Sequence, residues 1–277
     1  MGNTDFIFTS WEKEQKIFYK NFAALKKHPG KKAVHNLRVA VKKLRAALEL
    51  YLLILEKTLP DDPIPETEQL FSILGKQRDL EICLELIDIF EKETGIKYTE
   101  LKYYFRTVLS VAHKWTKKAV LQYKRKELDE IALLLKTATQ VNEPENLKNK
   151  ITGIINTHLG NCRKFYKKPH QLRQYLKEIY YWIKMIPASL LFPVEFEKEL
   201  QQVLDDFGNW QNLTVFEIKL KHFRKDYLPK KFPEYVTTKI MEAGVKEKKE
   251  KLLIVALNKT GGLMTKAMAA EKEKPQL

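Results

Sequence analysis

Apolar residues recur three and four positions apart along most of this chain, the period of an amphipathic helix. No strand-like alternation competes with it. The pattern predicts an all-α protein with helices near 4–27, 32–58, 66–92, 98–125, 145–166, 169–186, 194–226 and 233–257. The breaks between them have chemical causes. Pro29-Gly30 stops the first helix, and Pro60, Asp61, Asp62, Pro63 and Pro65 make a rigid turn. Asn142, Glu143 and Pro144 divide the chain, Pro187 closes the sixth predicted helix, and Pro229 and Pro233 open the last. The stretch from Lys259 to Leu277, with Gly261-Gly262 and an unpatterned charged end, is expected to fray.

One stretch occurs twice. VHNLRVAVKKLRAALEL, from Val34 to Leu50, has a counterpart in PHQLRQYLKEIYYWIKM, from Pro169 to Met185. Both contain His-x-Leu-Arg-x-x-x-Lys: His35, Leu37, Arg38 and Lys42, then His170, Leu172, Arg173 and Lys177. Leu74–Ile87 likewise aligns with Phe207–Leu220, placing Gly75 on Gly208 and Leu80 on Leu213. Lys117, Lys118 and Leu121 align with Lys248, Lys249 and Leu252. Matches in the same order at similar offsets point to an internal duplication. Each half, residues 1–141 and 142–277, then supplies about four helices, the natural unit of a helical bundle.

The first copy separates two stripes. Val34, Leu37, Val41, Leu44 and Leu48 form an apolar face, while His35, Arg38, Lys42 and Arg45 share a face rotated from it by one residue step, about 100°. Cations on the flank of a buried face can line a groove while their stems pack on the core edge. Arginine presents a fork to phosphate oxygens, lysine a mobile point charge, and histidine gains charge beside an anion. The second stripe is thinner: Glu178 replaces Lys43 and Tyr180 replaces Arg45, with Lys184 one turn later. Lys114, Lys117, Lys118 and Arg125, with Lys246, Lys248 and Lys249 as counterparts, supply further basic positions beside apolar Tyr104, Val108, Val111 and Trp115.

Bulk properties narrow the partners. The 277 residues are 44% hydrophobic, enough for a substantial core, and carry 50 Lys+Arg against 35 Asp+Glu, a net charge of +15. That balance favours polyanions: nucleic acid, acidic lipid or phosphate polymers. Cys83 and Cys162 make no CxxC pair or disulfide framework, which suits a reducing cytoplasm. No signal-like start or apolar run long enough for a membrane span is read, and no membrane partner is expected.

Catalysis is not expected. No phosphate-cradling glycine loop followed by Lys-Ser/Thr is present, and the Asp61-Asp62 and Asp205-Asp206 pairs read as a turn and a helix surface. His158, Cys162 and His170 offer an i, i+4 pair but a third ligand beyond a helix break, so neither a metal site nor a cofactor is assigned. Nucleic-acid binding stays open. Trp115, Trp182 and Trp210 could stack on bases, but their spacing reads as core.

These residues resemble the CHAD domain (conserved histidine α-helical domain) family. The run His35-Asn-Leu-Arg-Val-Ala-Val-Lys-Lys-Leu-Arg45 is similar to its first-half signature. Leu74-Gly-Lys-Gln-Arg-Asp-Leu80 and His170-Gln-Leu-Arg173 resemble its other two motifs, and the likeness spans about residues 5–257. The resemblance implies an all-α fold of two four-helix bundles related by pseudo-two-fold symmetry, with a basic channel or groove between them. It implies binding of inorganic polyphosphate and association with polyphosphate granules. The expected binding set is His35, Arg38, Lys42, Arg45, Lys114, Lys117, Lys118, His170, Arg173, Lys177, Lys184, Lys248 and Lys249. Gln211-Asn212 replaces Arg78-Asp79 in the second half.

Overall fold

Prolines open four of the helices. Pro65, Pro144, Pro169 and Pro233 each occupy a first helical position, where the missing N–H costs nothing and the fixed φ favours entry. The computed structural model describes residues 5–57, 63–138, 144–186 and 194–272. Its helices are α1 (Asp5–Lys27), α2 (Lys31–Ile54), α3 (Pro65–Thr94), α4 (Thr99–Gln122), α5 (Lys126–Ala138), α6 (Pro144–Cys162), α7 (Pro169–Met185), α8 (Val194–Asp226) and α9 (Pro233–Lys272). A short 3-10 turn, Arg163–Phe165, links α6 to α7. No strand occurs among the described residues. The expected breaks at Pro60–Asp62, Asn142-Glu143 and Pro187 lie outside them.

Gly95 ends α3 in the left-handed conformation, φ 71°, with its N–H on Glu91 O at 2.9 Å. A side chain there would be strained, so glycine serves as the stop.

Buried side chains form two cores. One unites α1, α2, α5, α6 and α7 with the first part of α3, the first part of α8 and the end of α9. The other joins Leu80–Phe90 of α3, Leu101–Ala112 of α4, Leu213–Phe223 of α8 and Met241 and Val245 of α9. Helices α3, α8 and α9, at 30, 33 and 40 residues, are long enough to run through both. Each core therefore draws on both sides of the mid-chain break. The two helices with the repeated motif, α2 and α7, pack directly on each other, as do α3 and α8. Trp182 fastens the first pair: it is fully buried, and its Nε1–H donates to Ala46 O at 2.9 Å.

Three expectations are corrected. Residues 126–138 are helical, although the periodicity left them unassigned. Leu128 and Leu135 bury fully, and Glu127 caps α3 by accepting from the N–H groups of Glu66 and Thr67 at 2.6 and 2.9 Å. The end of α9 continues through Gly261-Gly262 instead of fraying. Thr260, Leu263 and Met264 are buried there, and this burial outweighs the roughly 1 kcal/mol per glycine cost of helix formation. Trp115 is surface, not core, with 58% of its area exposed. The inward face of α4 is Leu101, Phe105, Ala112, Thr116 and Val120, one residue out of phase with the expected Tyr104, Val108, Val111 and Trp115.

Candidate anion-binding site

The apolar stripe of α2 is buried as expected, which fixes where its cations go. Arg38 is held from two sides. Its Nη1 donates to Phe71 O at 2.6 Å, and its guanidinium lies 4.0 Å from the Phe71 ring centroid. Arg45 lies 4.3 Å from the same ring and Lys42 5.9 Å. One phenyl ring thus meets three cations. Gly75, one turn after Phe71, explains how the guanidinium fits. A Cβ at that position would stand 2.7 Å from Arg38 Nη1.

Helix α7 brings Arg173 and Lys177 to the same place. Lys42 and Lys177 face each other across the α2–α7 seam. Burial, followed by the charges of Lys177, Arg38, Arg173 and Arg45, pushes the Lys42 pKa down to about 6. Burial and Arg173 push Lys177 down to about 8. Arg38 is lowered to about 10, chiefly by burial, and Arg173 is lowered for the same reason. His35, at the solvent end, is lowered by burial and by Arg78, Lys42, Arg38 and Lys31. The Nε–H groups of Arg45 and Arg173 are buried and donate to no protein acceptor among the described residues.

Few acids compensate this cluster. Arg45 pairs with Glu68. Arg78 reaches Glu85 at 3.2 Å and Glu81 at 3.7 Å. Asp79 faces Lys219, Arg38, Arg78 and Lys42, yet burial still raises its pKa. Arg78, Lys219 and Phe71 were not in the binding set expected from the sequence. The Leu-Gly-x-x-Arg-Asp run pointed at Arg78; nothing local marked Lys219 or Phe71.

The remaining expected residues do not join this cluster. His170 packs against Trp210 of α8, with ring centroids 4.6 Å apart and the planes tilted by 49°, and no hydrogen bond or ion pair ties it to α2 among the described residues. Lys184 pairs with Glu197 at 2.6 Å, Lys248 with Glu93, and Lys249 with Glu217. Lys114, Lys117 and Lys118 lie exposed on α4, Lys118 5.7 Å over the Trp115 ring. Arg125 has left the helix, at φ 67°, and covers Phe22 and Tyr19. Arg38, Lys42, Arg45, Arg173 and Lys177 form a compact centre, with His35 at its rim.

Fold and site together define an all-α protein whose two motif helices bring their cations into one shared cluster. The CHAD domain family model matches residues 16–221, and the chain belongs to that family. It is similar to the crystal structure of the CHAD domain from the plant Ricinus communis, with a TM-score of 0.73 and 14% identity over 93% of this chain and 92% of that one. It is also similar to PptA from Streptomyces chartreusis, with a TM-score of 0.67 and 12% identity over 95% of this chain and 100% of that one. At such identities the likeness concerns the fold. No curated protein matches by sequence. No described helix is long and apolar enough to cross a membrane.

Proposed function

We propose that this chain binds inorganic polyphosphate without catalysis, at the cationic centre between α2 and α7. The observation that carries this reading is the meeting of Lys42 and Lys177, both with depressed pKa values and with Arg38 and Arg173 beside them. Burial and mutual repulsion hold these side chains below their full charge, and a bound polyanion favours their protonated, cationic forms. Arginine forks with unused N–H donors suit phosphate oxygens, and a linear polymer can engage several cations at once. Family membership supports the same ligand class. Under this reading the chain accumulates at polyphosphate granules in cells that make them.

The test is a binding titration of long-chain polyphosphate at several salt concentrations. Arg38→Glu with Lys42→Glu should lower affinity at least about a hundredfold and reduce the salt slope by about one unit for each phosphate no longer neutralised. Lys13→Glu with Lys126→Glu, on exposed sites, should change it less than about threefold. Equal effects of both pairs would mean a diffuse polycation and no defined site. Phosphate release from polyphosphate in the presence of Mg²⁺, abolished by a point substitution in this chain, would defeat the non-catalytic part.

One observation favours nucleic acid instead: Trp115, exposed beside Lys118, could stack on a base. Trp182 and Trp210 are buried and cannot. Duplex and single-stranded DNA as competitors decide between the readings. Displacement of polyphosphate by DNA at matched phosphate concentration, abolished in Trp115→Ala, would favour the second.

A further inference from the structure

A second polar cluster lies at the junction of α2, α6 and α7. Glu49, His158 and Glu178 each offer one ligand atom, and these atoms all lie within 4.8 Å of one another. Neither carboxylate has a hydrogen bond or an ion pair among the described residues, and both are half-buried. His158 is fixed by its surroundings. Its ring meets Trp182 edge to face at 4.6 Å and Tyr175 at 5.7 Å. Its Nδ1 lies 3.0 Å from Ile154 O. A carbonyl only accepts, so Nδ1 carries the proton in this contact, and in the neutral ring Nε2 keeps its lone pair. A backbone carbonyl holding the distal nitrogen is the usual support of a metal-bound histidine.

We propose that Glu49, His158 and Glu178 form a binding site for a divalent transition-metal ion, with Zn²⁺ as the best match. Two facing carboxylates and a neutral imidazole leave two negative charges and three lone pairs uncompensated. One shared proton removes half of that charge and leaves Nε2 without a partner. One divalent ion satisfies all three groups. Bonds of about 2.0–2.2 Å in tetrahedral geometry place ligands roughly 3.3–3.6 Å apart, so small rotations of the carboxylates close the cluster on an ion. The imidazole selects Zn²⁺ over Mg²⁺. Such an ion ties α6 to the α2–α7 seam. The site stands independently of the polyphosphate reading, and its cysteine neighbour, Cys162, is not among its ligands.

The test uses the full chain without a histidine tag, stripped with a chelator and dialysed against micromolar Zn²⁺, Mn²⁺ or Mg²⁺. Elemental analysis should find about one equivalent of Zn²⁺, with thermal unfolding raised by Zn²⁺ and not by Mg²⁺. His158→Gln and Glu178→Gln should each weaken Zn²⁺ binding at least about tenfold while circular dichroism stays helical. Absence of retained Zn²⁺ in the unaltered chain overturns the proposal, whatever the variants do. So does Zn²⁺ binding that both variants keep, which would assign the ion to other histidines.

Discussion

The two motif helices share a pattern but do different work. On α2, Arg38 stacks on Phe71, donates to the Phe71 carbonyl and occupies the space that Gly75 leaves open. On α7, the equivalent Arg173 makes none of these contacts among the described residues. At the 133-residue offset that aligns Gly75 with Gly208, Phe71 aligns with Leu204, a buried aliphatic residue without a π face. Among the described residues, no side chain and no other helix lies within 4 Å of a Cβ built on Gly208. Lys43 pairs with Glu14 at 2.7 Å, whereas its counterpart Glu178 faces Glu49. One copy fixes its arginine in advance. The other anchors the seam through Trp182 and contributes less constrained cations. A repeated motif therefore does not imply repeated chemistry, because the second copy meets a different neighbouring helix surface.

The largest expected effect falls on the anchor. Trp182→Ala removes a fully buried indole and its bond to Ala46 O, and should cost about 3–5 kcal/mol in denaturant unfolding. A cost below about 1 kcal/mol would show that the α2–α7 seam is held elsewhere.

The glycine pair separates the copies next. Gly75→Ala forces the Arg38 guanidinium off Phe71 and should weaken polyphosphate binding about tenfold, as one charge-assisted contact is displaced. Gly208→Ala meets open space in a helix interior and should leave binding unchanged while stabilising the fold by about 0.5–1 kcal/mol. Equal behaviour of the two would erase the asymmetry.

The smallest effect is a pH dependence. With Lys42 near 6 in the folded chain and near 10.5 when unfolded, the unfolded state binds the extra proton between those values. Stability from this group is therefore complete above about pH 10.5 and is lost as pH falls toward 6. Lys42→Met removes that penalty. Its melting temperature should exceed that of the unaltered chain at pH 8, with the gap narrowing by about 2 °C or more at pH 10. A constant gap would show that Lys42 is not desolvated.

Much of the fold was legible because helical periodicity and proline placement act locally. The stripe Val34, Leu37, Val41, Leu44 and Leu48 needs only a period of 3.6 to be recognised, and all five residues are buried. The same register put His35, Arg38, Lys42 and Arg45 on its flank. The α5 helix escaped notice because its Leu-rich run, Leu133 to Leu135, follows a turn at Arg125 that uses positive φ without glycine.

By itself the sequence determined the helical class, the family signature, the cationic flank of α2 and the phase of its buried face. These depend on neighbours within a turn or two. Only the tertiary structure decided which cations meet. Lys42 and Lys177 are 135 positions apart, and Lys184, Lys248 and Lys249, equally basic on paper, are each taken by an acid from another helix. It also decided that Phe71 and Gly75 hold Arg38, that Trp115 faces water and that Glu49, Glu178 and His158 converge. Such meetings are set by how helices cross, and a crossing is fixed by the summed packing of both surfaces, which no local spacing records.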